Sequence, residues 1–174
     1  MEKKFIMTAI GEDRQGFVAD VTRVIYEHGC NLEDSTMTKL EDEFAMIFLC
    51  SGRDEQLEEQ LSRACRRLER EKGISVFLRP VERPHAKAGK TYVTRTLHVE
   101  GIDHAGIVYH VSQYLAEQQV NISNLAARLT FSPQSGTAVY TIEIRIEIPS
   151  EVSLEGLAQG LSQIGDALHV DITF

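Results

Sequence analysis

The sequence contains no tryptophan, only three cysteines, four prolines and no long apolar run. Without a stretch of about 18 apolar residues, a transmembrane helix is not expected. The apolar residues before Gly11 are too few for the core of a secretory signal peptide. Cys30, Cys50 and Cys65 are odd in number and widely spaced, which predicts reduced thiols buried as small hydrophobes and a cytoplasmic protein.

Positive charge is also scarce. The chain has 18 Lys and Arg against 26 Asp and Glu, which gives a net charge of −8. Such a surface repels a phosphate backbone, so direct binding of nucleic acid is not expected. The 174 residues, 43% of them hydrophobic, suffice for one large domain or two small ones. The expected partners are therefore small molecules or other proteins, with no membrane association.

The chain repeats itself at an offset of 90 positions. The segment from Gly11 to Val18 aligns with the segment from Gly101 to Val108, and both contain the pattern Gly-x-Asp-x-x-Gly. Asn31 aligns with Asn121 at the same distance from this pattern. A motif that recurs together with its spacing to a second residue indicates an internal duplication.

Each copy predicts the element order βαββαβ. Alternating or β-branched segments predict strands, and apolar residues three and four apart predict amphipathic helices that begin near 17, 57, 107 and 154. Gly29 is predicted to end the first of these helices. The predicted strands are 3–10, 31–40, 43–51 and 74–78, then 94–99, 122–131, 137–148 and 169–173. This order predicts an α+β protein of two ferredoxin-like units in tandem, with antiparallel sheets and helices on one face. The predicted domains are 3–79 and 92–174, and the Pro- and Gly-containing segment 80–91 is the predicted linker.

The turn between the first strand and the first helix is the most informative element. Gly16 and Gly106 open helices whose first N–H groups have no partner within the helix, so a carboxylate can bind there. Asp13 and Asp103 place a negative charge nearby, which suits the ammonium group of the same ligand. A ligand with both groups is an amino acid. The alternative is local: Asp caps the helix, Gly makes a tight turn and Asn takes a left-handed conformation after the helix.

Other chemistry finds little support in the sequence. His98, His104 and His110 recur every six residues, but this spacing matches no metal signature, and neither a metal nor a cofactor is expected. No nucleophile-elbow, Walker-type or dinucleotide-binding pattern is present.

Two βαββαβ units, each with Asp-x-x-Gly-[Phe/Ile]-Val before the helix and Asn-[Leu/Ile] after it, resemble tandem ACT domains of the glycine cleavage system transcriptional repressor family. ACT domains are small regulatory modules that typically bind amino acids at domain interfaces. Many of them have Asn where this chain has Asp13 and Asp103. The ligand-binding residues that the resemblance implies are Gly11, Asp13, Gly16, Phe17 and Asn31 in the first copy and Gly101, Asp103, Gly106, Ile107 and Asn121 in the second.

The resemblance implies a non-enzymatic, amino-acid-responsive regulator that forms homo-oligomers. Its expected effector is glycine, followed by serine, and its expected protein partner is a DNA-binding activator. Two alternatives remain open: a dimerisation module without a ligand, and a small-molecule enzyme that uses a cysteine or histidine. The first loop contains the polar residue Gln15, whereas Ile102 and Ala105 make the second loop less polar. This difference favours the first copy as the stronger site.

Overall fold

The computed structural model describes residues 2–81, 91–102, 105–131 and 136–174. The chain divides into two compact units, residues 1–86 and 87–174. Most of the predicted linker, residues 82–90, lies outside the described part of the chain. Its first residue, Pro80, is the last residue of a strand rather than part of a connection.

Unit 1 is a four-stranded antiparallel sheet with two helices. Its elements are β1 (Lys3–Glu12), α1 (Phe17–Glu27), β2 (Asn31–Leu40), β3 (Glu43–Gly52), α2 (Leu57–Lys72) and β4 (Ser75–Pro80). The strand order is β2-β3-β1-β4, and all neighbouring strands are antiparallel. The split βαβ topology predicted from the repeat is therefore confirmed.

Unit 2 repeats this arrangement. Its elements are β5 (Tyr92–Ile102), α3 (Ile107–Glu117), β6 (Asn121–Phe131), β7 (Ala138–Pro149), α4 (Leu154–Leu168) and β8 (Val170–Thr173). The strand order is β6-β7-β5-β8, the same as in unit 1. The protein is thus an α+β chain of two ferredoxin-like units.

The core of each unit lies between the sheet and its helices. In unit 1 alternate residues of β1 and β3, such as Phe5, Met7 and Phe48, are buried with the apolar stripes of α1 and α2. In unit 2 alternate residues of β7, such as Ile142 and Ile144, are buried with the apolar stripes of α3 and α4. The period of two in the strands and of three to four in the helices explains why one face of each is apolar.

A residue other than asparagine takes the left-handed conformation after the first helix of each unit. Gly29 has φ +63° directly after α1, which confirms its predicted role in ending that helix. In unit 2 the left-handed residue is Gln119, with φ +59°. The alternative that Asn31 and Asn121 take this conformation is wrong, because both begin extended edge strands.

Both opening strands are longer than predicted. β1 runs to Glu12 and β5 to Ile102, so Gly11 and Gly101 are strand residues rather than loop residues. A Cβ at Gly11 would lie 3.2 Å from the Phe17 ring, and one at Gly101 would lie 2.5 Å from Cγ1 of Val170. Glycine stands at these positions because neighbouring elements pack directly against the strand backbone. No helix in the described part of the chain is long and apolar enough to cross a membrane.

Candidate functional site

The N-terminal ends of α1 and α3 have a shared backbone geometry. Gly16 (φ +86°) and Gly106 (φ +102°) take the left-handed conformation at the position before each helix, and neither N-cap residue contributes a side-chain cap. Only glycine adopts such angles without a steric penalty. The interpretation of both glycines as turn residues at helix entrances is therefore confirmed.

Asp13 does not cap α1, so that part of the local alternative is wrong. Its carboxylate forms an ion pair with Nζ of Lys39 on β2, and its N–H donates to the carbonyl oxygen of Asp42 at 2.8 Å. An ammonium group of a ligand would have to compete with the Lys39 side chain for this carboxylate. Asp103, the counterpart in unit 2, lies outside the described residues.

The first turn of α1 already contains a neutralised carboxylate. Asp20 is 11% exposed and accepts a hydrogen bond from Arg14 at 2.8 Å, with Lys72 at 3.9 Å. The Arg14 guanidinium holds the pKa of the Asp20 carboxyl below its usual value. The helix dipole stabilises a negative charge near the N-terminus of a helix. Because the Asp20 carboxylate already supplies that charge, it competes with any anion that would bind at this end of α1.

Replacing Asp20 by Asn is expected to lower the urea midpoint of unfolding at pH 7. The lowered pKa means that the charged carboxylate stabilises the folded state fully above the unfolded-state pKa, near 3.8, and loses that effect as the pH falls through the folded-state value. The difference between Asp20→Asn and the parent should therefore shrink at about pH 3. Glu58→Gln, at an exposed carboxylate, is the control. A difference that stays constant with pH would contradict the role of the Arg14 pair.

Unit 2 has an open cavity of about 700 Å³ at the N-terminal end of α3. Gly106 and Ile107, two of the predicted ligand-binding residues, contribute to its wall. The other lining residues are Ala105, Val108, Tyr109, Leu129 and Tyr140. Sequence reasoning missed Leu129 and Tyr140, because only the sheet register brings Leu129 opposite Tyr140 and Tyr140 opposite Gly101, next to the entrance of α3.

The two copies differ in charge at matching positions. Lys39 of β2, opposite Phe44, corresponds to Leu129 of β6, opposite Tyr140. Asp20 in the first turn of α1 corresponds to His110 of α3, and the first turn of α3 contains no acidic residue. The described part of the unit 2 site therefore lacks the acidic side chain that competes with an anion in unit 1, and its wall is apolar.

Phe17 and Ile107 follow the entrance glycines, but their side chains point into the cores. They are 1% and 2% exposed, and the Phe17 ring packs 5.8 Å from the ring of Phe44. A ligand at either helix end would meet their backbone rather than their side chains. If these positions bind a ligand, they do so through their backbone N–H groups.

Asn31 and Asn121 lie at the far end of their units from the entrance glycines. Each follows a helix of 11 residues, which spans about 16 Å. Asn121 donates from Nδ2 to Oε2 of Glu147 at 2.9 Å, whereas the cavity lies near Tyr140 of the same strand β7. Within one unit, the structure does not bring the asparagine and the helix entrance to the same ligand.

The cysteines offer no activated nucleophile. Burial raises the pKa of the Cys50 thiol to about 12 and that of Cys65 to about 11, and it also raises the pKa of Cys30. A thiol with a raised pKa is a poor nucleophile near neutral pH. Within the described ranges, no group of three or more His, Cys, Asp or Glu side chains could hold a metal ion. His104 lies outside those ranges.

Known proteins share parts of this sequence. The family model of the ACT domain matches residues 3–79. The glycine cleavage system transcriptional repressor of Escherichia coli K12 is 47% identical over 47 residues, which is 27% of this chain and 25% of that protein. A UPF0237 protein of Methanopyrus kandleri is 48% identical over 44 residues, 25% of this chain and 49% of that protein. The alignments thus span between a quarter and a half of these relatives.

Solved structures match along nearly the whole chain. A protein of unknown function from Galdieria sulphuraria superposes with a TM-score of 0.77 at 26% identity, covering 99% of this chain and 97% of its own. A structure provisionally named as a glycine cleavage system transcriptional repressor superposes with a TM-score of 0.73 at 23% identity, covering 99% and 96%. The second likeness establishes the fold alone.

These matches agree with the duplicated βαββαβ architecture. The first unit carries the family match, and the second repeats its strand order. Residues 3–79 match the ACT-domain family, unit 2 repeats the same fold, and the chain is similar in part of its sequence to the glycine cleavage system transcriptional repressor.

Proposed function

We propose that this protein is a non-enzymatic regulator that responds to a free amino acid bound at the N-terminal end of α3. The observation that carries the proposal is the cavity of about 700 Å³ into which Gly106 and Ile107 present the start of that helix. Clefts of this size are typical of small-molecule sites. The ACT-domain match of unit 1 supports an amino acid as the class of ligand.

The ligand's carboxylate would accept hydrogen bonds from the first N–H groups of α3, where the helix dipole favours negative charge. His110 lies beside this point, since its ring carbon Cδ2 is 3.4 Å from where a Cβ on Gly106 would be. A histidine donor there suits a carboxylate. Ion pairs occupy the matching positions of unit 1, so we place the stronger site in unit 2, contrary to the expectation from loop polarity.

The cavity wall also bears on which amino acid binds. Leu129, Tyr140 and Val108 form an apolar surface beside the helix entrance. Burying an apolar side chain against them adds roughly 25 cal/mol per Å² of area removed from water. Glycine and serine are the effectors that the family resemblance suggests, but this wall favours an amino acid with a larger apolar side chain.

Regulation would follow from a change in protein contacts. A bound ligand shifts the balance between two states only by the difference in its affinity for them. With a net charge of −8 the chain is poorly suited to bind DNA directly, so we propose that it acts in the cytoplasm on a DNA-binding activator protein. A ligand-free interaction module is the alternative, and it predicts no response to amino acids.

A thermal-shift panel over the common amino acids tests the proposal. A ligand at about 100 times its dissociation constant should stabilise the folded state by roughly 2.7 kcal/mol. We expect an apolar amino acid to raise the melting temperature more than glycine or serine does. If no amino acid at millimolar concentration raises it, the ligand-free module becomes the better description.

Leu129→Lys should weaken binding of the amino acid that the panel identifies by about tenfold or more. The variant introduces into unit 2 the residue that unit 1 has at this position, and it places a charged chain against the apolar wall. Leu129 is 48% exposed, so the fold should tolerate the change. The measurement is calorimetric titration.

Lys39→Leu is the matched control, because it makes the same exchange in reverse at unit 1. It breaks the Asp13 pair but leaves the unit 2 cavity intact, so the affinity should not fall. If Lys39→Leu weakens binding and Leu129→Lys does not, the ligand site lies in unit 1.

A further inference from the structure

The face of the unit 1 sheet opposite its helices is apolar at its centre. Ile6, Ile10, Ile47, Leu49 and Phe77 lie on this face, since they alternate along their strands with residues of the core. Phe77 is 66% exposed and Ile47 is 47% exposed. An apolar patch of this kind on a sheet face marks an interaction surface.

The same face of unit 2 has a different character. One row across its sheet contains Glu143 and His98, and the next contains Thr141, Glu100 and Asp171. The apolar face is thus not a general property of the fold.

The strand register of unit 1 places opposite charges at the two edges of this face. Asp34, Leu49, Ile6 and Arg79 form one row across β2, β3, β1 and β4. The row therefore has a negative charge at one edge, two apolar residues in the middle and a positive charge at the other edge. Neither Asp34 nor Arg79 has an ion-pair partner among the described residues.

The next row has a protrusion and a hollow. Thr36, Ile47, Thr8 and Phe77 lie side by side in it. The exposed Phe77 ring stands at the β4 edge. At the β2 edge, a shallow hollow of about 220 Å³ is lined by Thr36, Ile47, Asp34 and Leu49, among others.

We propose that two copies of this chain associate through these faces, sheet on sheet, about a two-fold axis parallel to the strands. With this axis between β1 and β3, the β2 edge of one copy faces the β4 edge of the other, and each row faces the same row of the partner. Asp34 of one copy then meets Arg79 of the other. Phe77 of each copy enters the partner's hollow beside Ile47. Opposite charges and matching shapes meet twice, which favours a second copy over an unrelated protein.

The area is sufficient for a specific dimer. Three strands of ten residues and one of six, at about 3.4 Å per residue and about 4.8 Å apart, give a face of roughly 590 Å². Two such faces bury roughly 1,200 Å² in total, at the lower limit of the range for specific interfaces. Sheets commonly pack face to face in this way at a separation of about 10 Å.

Sedimentation equilibrium of the full chain over about 1–200 µM tests the proposal. The parent should self-associate, and Phe77→Ala should raise the dissociation constant about tenfold or more, since it removes the aromatic ring that enters the partner's hollow. Phe131→Ala in unit 2 is the matched control, because Phe131 is also 66% exposed, and it should leave the dissociation constant unchanged.

A charge exchange tests the geometry itself. Asp34→Arg and Arg79→Asp should each weaken association about fivefold or more by placing like charges together, and the double variant should restore it. A monomeric parent at 200 µM would overturn the proposal. So would an oligomer that Phe77→Ala leaves intact, or a double variant no tighter than the single ones.

Discussion

Replacing Phe17 by alanine is expected to lower the free energy of unfolding by about 3–5 kcal/mol. Phe17 is 1% exposed, and its ring fills the space between α1 and the Phe44 ring. Removal of the ring leaves a cavity that the surrounding core cannot close fully. Urea unfolding followed by circular dichroism measures the change.

Tyr26→Ala is the control for the Phe17 substitution, because it also removes an aromatic ring from α1. Tyr26 is 83% exposed, so its loss should change stability by no more than about 0.5 kcal/mol. If Phe17→Ala left stability unchanged but abolished a ligand response, the Phe17 side chain would be a ligand contact rather than a core residue.

Replacing Gly101 by alanine should destabilise the protein by about 1–3 kcal/mol. The new Cβ would lie 2.5 Å from Cγ1, 3.0 Å from Cβ and 3.1 Å from Cα of Val170. Because one of these atoms belongs to the backbone of β8, a change of side-chain rotamer alone cannot relieve the overlap. Thermal unfolding of the variant and the parent measures the effect.

Gly156→Ala provides the comparison within the same unit. Gly156 lies in α4, where a new Cβ would approach only Ser153, at 3.7 Å, and alanine favours a helix. We expect this variant to be neutral or slightly stabilised. If Gly101→Ala proved equally harmless, close packing would not explain the first glycine of the repeated motif.

Local patterns in the sequence are sufficient to predict the fold of this protein. The repeat at an offset of 90 positions, the period of two in the strands and the apolar stripes of the helices together predict two βαββαβ units, and the structure confirms them. These signals are local, because strand and helix periods follow from backbone geometry and need no knowledge of distant contacts. Gly16, Gly29 and Gly106 were predictable for the same reason.

The residues of the candidate site, by contrast, come together only through contacts between distant parts of the chain. Leu129 and Tyr140 reach the entrance of α3 only through the pairing of β6, β7 and β5, and no local motif marks them. The same pairing in unit 1 places Lys39 beside Asp13, where local reasoning predicted a helix cap. Asn31 and Asn121 recur with the glycines in sequence, yet the length of a helix separates them from those glycines in space.

The two faces of the sheets show the same division. Alternation along a strand predicts that one side faces the helices, and this holds in both units. Whether residues of the other side align into rows depends on the register between strands, which hydrogen bonding across the sheet fixes. Asp34 and Arg79 are 45 positions apart in the sequence, and only the fold of unit 1 places them at opposite ends of one row.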